Sequence, residues 1–149
     1  TLLGNASANL VRNLWAYSII FCGHFPTGAQ TFTAEECKDE TRGQWYLRQM
    51  LGSANITGSS LFHIMSGNLS HQIEHHLFPD IPASRYPTIS EDVQAICEKY
   101  GLPYNTGPLH QQLTSTWSKI AKLSLPNFMT SDDNDLTVIV EREKSAGVA

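Results

Sequence analysis

The sequence predicts an all-α chain. Three observations carry that expectation. Ile89, Val93, Ile96, Cys97 and Tyr100 recur at i, i+4, i+7, i+8 and i+11, one face of an α-helix. Leu113, Trp117 and Ile120 line one side of a second stretch. Glycines and prolines punctuate the remaining helical runs, and the β-prone Leu136 to Val140 stands isolated.

Taken in order, residues 1–23 read as a helix. Leu2, Leu3, Leu10, Val11, Leu14 and Trp15 lead into an apolar run to Cys22, while Asn5, Asn9, Arg12 and Asn13 make a polar side. Gly23, Pro26 and Gly28 break the pattern. No stretch reaches about 18 apolar residues, so no complete membrane span is predicted. Leu14 to Cys22 is either the end of a span that starts upstream or part of a buried helix. Thr33-Ala34-Glu35-Glu36 has the form of a capping box and predicts a short helix that weakens near Gly43. A further helix is expected over Gln44 to Leu51, with loops at Gly52-Ser53 and Thr57 to Ser60.

Leu61 to Phe78 reads as one helix with a weak point at Gly67. Pro79 and Pro82 stop it, since proline lacks a donor and pushes its predecessor out of the α region. Thr88 to Tyr100 is the clearest helix, closed by Gly101 and Pro103. Leu109 to Leu123 follows, ended by Pro126, with Lys119 and Lys122 expected as a solvated pair rather than snorkelling toward lipid headgroups. The domain is expected to span 1–126. Residues 127–149, acidic at Ser131 to Asp135 and without packing residues at Ser145 to Ala149, are expected to form a disordered tail.

The 149 residues allow one ordinary domain at most. With 10 Lys and Arg against 14 Asp and Glu, the net charge of −4 leaves no excess for a polyphosphate backbone, so nucleic acid is excluded as a partner. Cys22, Cys37 and Cys97 form no CxxC pair, which argues against a disulfide scaffold or zinc ribbon and for three reduced thiols. The chain begins with Thr1 and carries no signal-peptide pattern. The expectation is a start within a larger protein.

Three of six histidines fall within His71-Gln72-Ile73-Glu74-His75-His76. On a helix, His75 lies about 60° to one side of Gln72 and His76 about 40° to the other, with Asn68 also about 40° from Gln72. Asn68, Gln72, His75 and His76 thus share a stripe flanked by His71, and Glu74 points about 160° away. Neutral imidazoles suit iron, zinc, copper or nickel. Adjacent histidines diverge, so they suit two neighbouring ions better than one. These residues alone leave open a metal site and a solvated polar face. His24 and His110 are expected to have no ligand role. His63 approaches the cluster if Gly67 bends the chain, and Asn55 is either a carboxamide ligand or a turn residue.

Gly67-Asn68-Leu69-Ser70-His71-Gln72-Ile73-Glu74-His75-His76-Leu77-Phe78-Pro79 closely resembles the third histidine box, QxxHH followed by Leu-Phe-Pro, of integral-membrane fatty acid desaturases. Cys22 to Pro26, Gly43 to Tyr46, Asp80 to Tyr86 and Glu98 to Tyr104 look like the actinobacterial acyl-CoA or acyl-lipid branch. The resemblance runs from about residue 5 to Pro126. It implies the C-terminal helical part of a membrane enzyme, the end of a membrane helix plus a helical cap on the cytoplasmic face. It implies two non-haem iron ions, a long-chain acyl-CoA or acyl-lipid substrate, O2, and a separate electron donor of ferredoxin or flavoprotein type. No flavin, Rossmann or cytochrome b5 signature is present in the chain itself.

By the same resemblance His75 and His76 are iron ligands, and Gln72 replaces the first histidine of an HxxHH variant, ligating directly or through water. His71 lies outside the motif; His71, His63 and Asn55 are further candidates. The family's other boxes do not stand elsewhere in the chain. Two ions of five- or six-fold coordination need on the order of ten ligand positions. The remaining ligands are therefore expected upstream, and the chain alone is expected to be inactive. A di-iron hydroxylase, an inactive helical fragment and a soluble zinc module are the alternatives.

Overall fold

A computed structural model describes residues 1–126. The expected tail, with Leu136 to Val140, lies outside the described residues. Helix α1 spans Leu2–His24, α2 Arg42–Leu51, α3 Ser60–Met65, α4 Gln72–Leu77, α5 Tyr86–Tyr100 and α6 Leu109–Leu123. Strands β1 (Asn55–Thr57) and β2 (Thr106–Pro108) pair in parallel, with Ile56 opposite Gly107. The chain is thus mainly helical, as its periodicity predicts, with a small sheet that has no signal in the sequence. Each strand has only three residues, too few to show an alternation.

Gly23 does not break α1. It lies on the face where α4 crosses, and a Cβ there would stand 2.9 Å from Gln72 Cγ. Glycine is used here for close approach, not as a stop. The helix is exposed from Leu2 to Leu14, and packing begins at Trp15. Among the described residues no helix is long and apolar enough to cross a membrane.

The capping box at Thr33 forms its bonds: Thr33 N–H donates to Glu36 Oε2 at 2.7 Å, and Glu36 N–H to Thr33 Oγ1 at 3.3 Å. It nevertheless opens only turns, because Asp39 adopts a left-handed φ of 59°. The helix begins instead at Arg42, behind a second box in which Thr41 Oγ1 accepts from Gln44 N–H and Gln44 Oε1 accepts from Thr41 N–H.

The expected single helix over Leu61 to Phe78 is two. Gly67 and Asn68 take consecutive left-handed conformations, φ 63° and 59°, which no right-handed helix can contain. Asn68 therefore leaves the stripe assigned to it, while Gln72, His75 and His76 keep their helical relation within α4.

α5 starts two residues earlier than its periodicity suggests, after a 3-10 turn at Ala83–Arg85. It ends with Gly101 at φ 65° and with Leu102 N–H donating to Cys97 O at 2.8 Å. α6 has the predicted limits, but it buries Gln112 and Thr116, and Trp117 stays half-exposed against the Tyr17 ring. Lys119 is no solvated lysine. Its Nζ donates to Ala29 O at 3.3 Å, and burial pushes its pKa down.

Two apolar clusters flank α4. Met50, Leu51, Ile73, Val93 and Cys97 join α2, α4 and α5. Ile19, Cys22 and Ile56 join α1 to β1, with Leu109 and Leu113 of α6 packed against them. All three cysteines are free.

Candidate metal centre

α4 is held from behind by a buried polar triad. Asn55 Oδ1 accepts from Ile73 N–H at 2.9 Å, and Asn55 Nδ2 donates to Glu74 Oε2 at 2.8 Å and to Tyr104 Oη at 2.6 Å. Tyr104 O–H donates to Glu74 Oε1 at 2.8 Å. Glu74 faces away from the histidine stripe as expected, yet it is wholly buried rather than a surface carboxylate. Burial pushes its pKa up, opposed by the bonds from Asn55 and Tyr104. Asn55 is neither a turn residue nor a free carboxamide: both ends of its amide are engaged in joining β1 to α4.

The front of α4 meets α1. His24, for which the sequence suggests no ligand role, places its Nε2 3.1 Å from His76 Nε2 and 3.4 Å from Gln72 Nε2. His24 Nδ1 stands 2.7 Å from Ile20 O. A carbonyl only accepts, so Nδ1 of His24 carries a proton, which leaves Nε2 as the ring nitrogen that can bind an ion. His76 Nδ1 faces Gln49 Oε1 of α2 at 3.2 Å; with Nδ1 donating to that oxygen, its Nε2 is free. His75 diverges from His76, with ring centroids 5.8 Å apart, and its Nδ1 lies 3.2 Å from the hydroxyl of buried Tyr86.

Burial, reinforced by His24 and His75, holds the His76 pKa down to about 4, so its ring is neutral near pH 7, the form a metal requires. A cavity of about 230 Å3, walled partly by Phe32, Cys37 and Arg48, opens onto Gln49 and His76. Arg48 is anchored beside it by a bidentate pair with Glu40, at 2.6 and 2.8 Å.

His71 and His63 form a separate pair. Their ring centroids are 4.6 Å apart, and His63 Nδ1 lies 2.7 Å from Ser70 Oγ. His71 Nε2 is buried without a hydrogen-bond partner among the described residues. Burial, and then His63, lower the His71 pKa to about 4. His110 is exposed on α6.

The donor chemistry fits a metal ion. Where both rings carry a single proton, on Nδ1, their Nε2 lone pairs meet, an arrangement that repels unless a cation or a proton lies between. A separation of 3.1 Å suits neighbouring nitrogens each about 2.1 Å from one ion. Among the described residues, no three or more His, Cys, Asp or Glu are grouped so as to hold an ion alone, so this donor set is partial. Sequence reasoning gave no sign that His24, Gln49 and Tyr86 meet the side chains of α4. The available signal for His24 was the glycine beside it inside an apolar helix, a mark of close backbone approach.

The fatty acid desaturase family model matches residues 1–108. The chain is 52% identical over 135 residues to an NADPH-dependent stearoyl-CoA 9-desaturase of Mycobacterium tuberculosis, covering 91% of this chain and 32% of that protein. It is 31% identical over 107 residues to fatty acid desaturase 3 of Bos taurus, covering 72% of this chain and 22% of the relative. A Delta(8)-fatty-acid desaturase of Borago officinalis is 31% identical over 105 residues, 70% of this chain and 24% of the relative. The chain thus spans a third or less of the length of these curated relatives. No solved structure gives a significant match. From the model match and the mycobacterial identity together, the chain belongs to the fatty acid desaturase family.

Proposed function

We propose that this chain supplies the C-terminal part of a non-haem di-iron centre that introduces a cis double bond into a long acyl chain. The observation that carries the reading is the facing pair of His24 and His76, 3.1 Å apart, within and beside the QxxHH segment. When bound, iron supplies the one-electron chemistry that an unactivated methylene requires, because no side chain is basic enough to remove so weakly acidic a proton.

This chain's residues hold and orient. His24 and His76 share one ion, and His75, turned away from His76, serves the second. Gln72, beside His24 Nε2, joins directly or through water. Ile20 O, Gln49 and Tyr86 stand behind the three imidazoles and set their ring orientation. Of the other candidates, His71 keeps a free buried donor with His63 stacked on it, whereas Asn55 keeps none. The names of the relatives favour desaturation over hydroxylation. That of the mycobacterial protein also supports an acyl-CoA substrate and an NADPH-fed electron donor. The bare apolar residues of α1, from Leu2 to Leu14, support a membrane setting.

The test replaces the matching C-terminal region of the mycobacterial relative by this chain, in a host lacking desaturase. The expected result is monounsaturated fatty acid, lost when His76→Ala is added. A chimera that accumulates intact but yields no product, or yields hydroxylated product, overturns the reading.

A further inference from the structure

The partner of His76 on its far side is an amide, which differs from the partner of His24 in one respect. Ile20 O can only accept, so His24 Nδ1 is protonated whatever happens elsewhere. Gln49 has an oxygen and an NH2 group at the end of one rotatable bond. With Oε1 toward His76 Nδ1, the single ring proton of neutral His76 sits on Nδ1, and its Nε2 lone pair faces that of His24 at 3.1 Å. With the NH2 group turned toward Nδ1, the proton sits on Nε2 instead. His76 then donates to His24 Nε2 across the same 3.1 Å, and the two donors satisfy each other.

We infer that Gln49 selects the tautomer of His76, and so decides whether the His24–His76 pair is open to a cation or closed by its own hydrogen bond. The inference rests on the reading of that pair as metal ligands. Three features support it. Gln49 is fixed at its backbone, where its carbonyl accepts from Ser53 Oγ at 2.7 Å. Its α2 neighbours Arg48 and Met50 are held by an ion pair and by the core. Its side chain, by contrast, borders the cavity of about 230 Å3 that also reaches His76, which gives the amide room to turn. Gln49 is in these terms a positioning residue, acting through the His76 ring.

The test uses the full chain with 15N-labelled histidine, in chelator and with Co2+ as probe. Long-range 15N–1H spectra read the tautomer of His76, and titration reads Co2+ affinity. In Gln49→Glu, an acceptor only, His76 is expected as the Nδ1–H form with and without metal, with Co2+ bound at least as tightly as by the wild type. In Gln49→Met, which offers neither oxygen nor NH2, the metal-free ring is expected as the Nε2–H form, with Co2+ bound about 10–100-fold more weakly. Equal His76 tautomers in the two metal-free variants overturn the inference, as does equal Co2+ affinity where the wild type binds the ion. A merely structural role would move the thermal midpoint and leave the tautomer alone. If the wild-type chain takes up no Co2+, its partial donor set does not hold an ion without the ligands expected upstream, and the metal-free tautomers alone decide the role of Gln49.

Discussion

His24 Nε2 and His76 Nε2 stand 3.1 Å apart although 52 residues separate them along the chain. The relation exists only because α1 and α4 cross closely enough for one ring from each to meet. His24→Ala and His76→Ala are therefore expected to weaken Co2+ binding by more than about tenfold, since outer partners of a ligand already contribute about 10–100-fold. His110→Ala, at an exposed position on α6, is expected to leave binding unchanged. Isothermal titration of the chelator-treated chain measures all three, and equal affinities across the set would exclude the pair as ligands.

Gly23 sets the crossing distance. An added methyl would stand 2.9 Å from Gln72 Cγ and 3.2 Å from its Cβ. Gly23→Ala is expected to push α4 away from α1 and to destabilise the fold by about 1–3 kcal/mol, the ordinary cost of overpacking. The denaturant midpoint should fall, and Co2+ affinity should fall with it. A variant of unchanged stability and affinity would mean that Gln72 swings aside without cost.

Asn55 bonds Ile73 N–H, Glu74 and Tyr104 at once while 3% exposed. Asn55→Ala leaves a buried N–H and a buried carboxylate short of partners. Each unsatisfied group costs about 1–3 kcal/mol, more where charged. The expected loss in urea unfolding is thus several kcal/mol, larger than for Thr114→Ala on the exposed face of α6. A loss below about 1 kcal/mol would show that the triad is not what holds α4.

Acid should destabilise the metal-free chain. Burial holds His71 and His76 down to about 4, whereas an unfolded histidine titrates near about 6.5. Between those values the unfolded chain binds more protons, so stability falls as pH falls; above them both states carry neutral rings and this contribution is constant. In chelator, the thermal midpoint is expected to be level above about pH 7 and to drop between about pH 6.5 and 4. His71→Phe should make that drop shallower. A midpoint level through this range would contradict the burial of both rings.

Helices α5 and α6 are legible in the sequence because their signals are local: an apolar stripe with Gly101 and Pro103 after α5, and a stripe ended by Pro126 for α6, whose buried Gln112 and Thr116 that stripe does not name. The relation of Gln72, His75 and His76 is legible for the same reason, since it depends only on helical geometry within α4. The break at Gly67 and Asn68 is less so. Glycine there is compatible with a weak point in one helix, and the second left-handed residue, Asn68, has no local requirement that names it. β1 and β2 are invisible because each depends on a partner 51 residues away. His24, Gln49 and Tyr86 escape for a similar reason. Each is defined by the side chain it meets, and nothing in its own segment distinguishes it from a loop histidine, a surface glutamine or a core tyrosine.

The bare N-terminal stretch of α1 has a mechanical consequence. Over 23 residues the helix is roughly 34 Å long, and among the described residues it is gripped only from Trp15 onward, toward the end that carries His24. It is a lever with a long arm and a short one. A sideways push at Leu2 is geared down several-fold by the time it reaches His24, so whatever seats the long arm trims the spacing of the two facing imidazoles in fine steps.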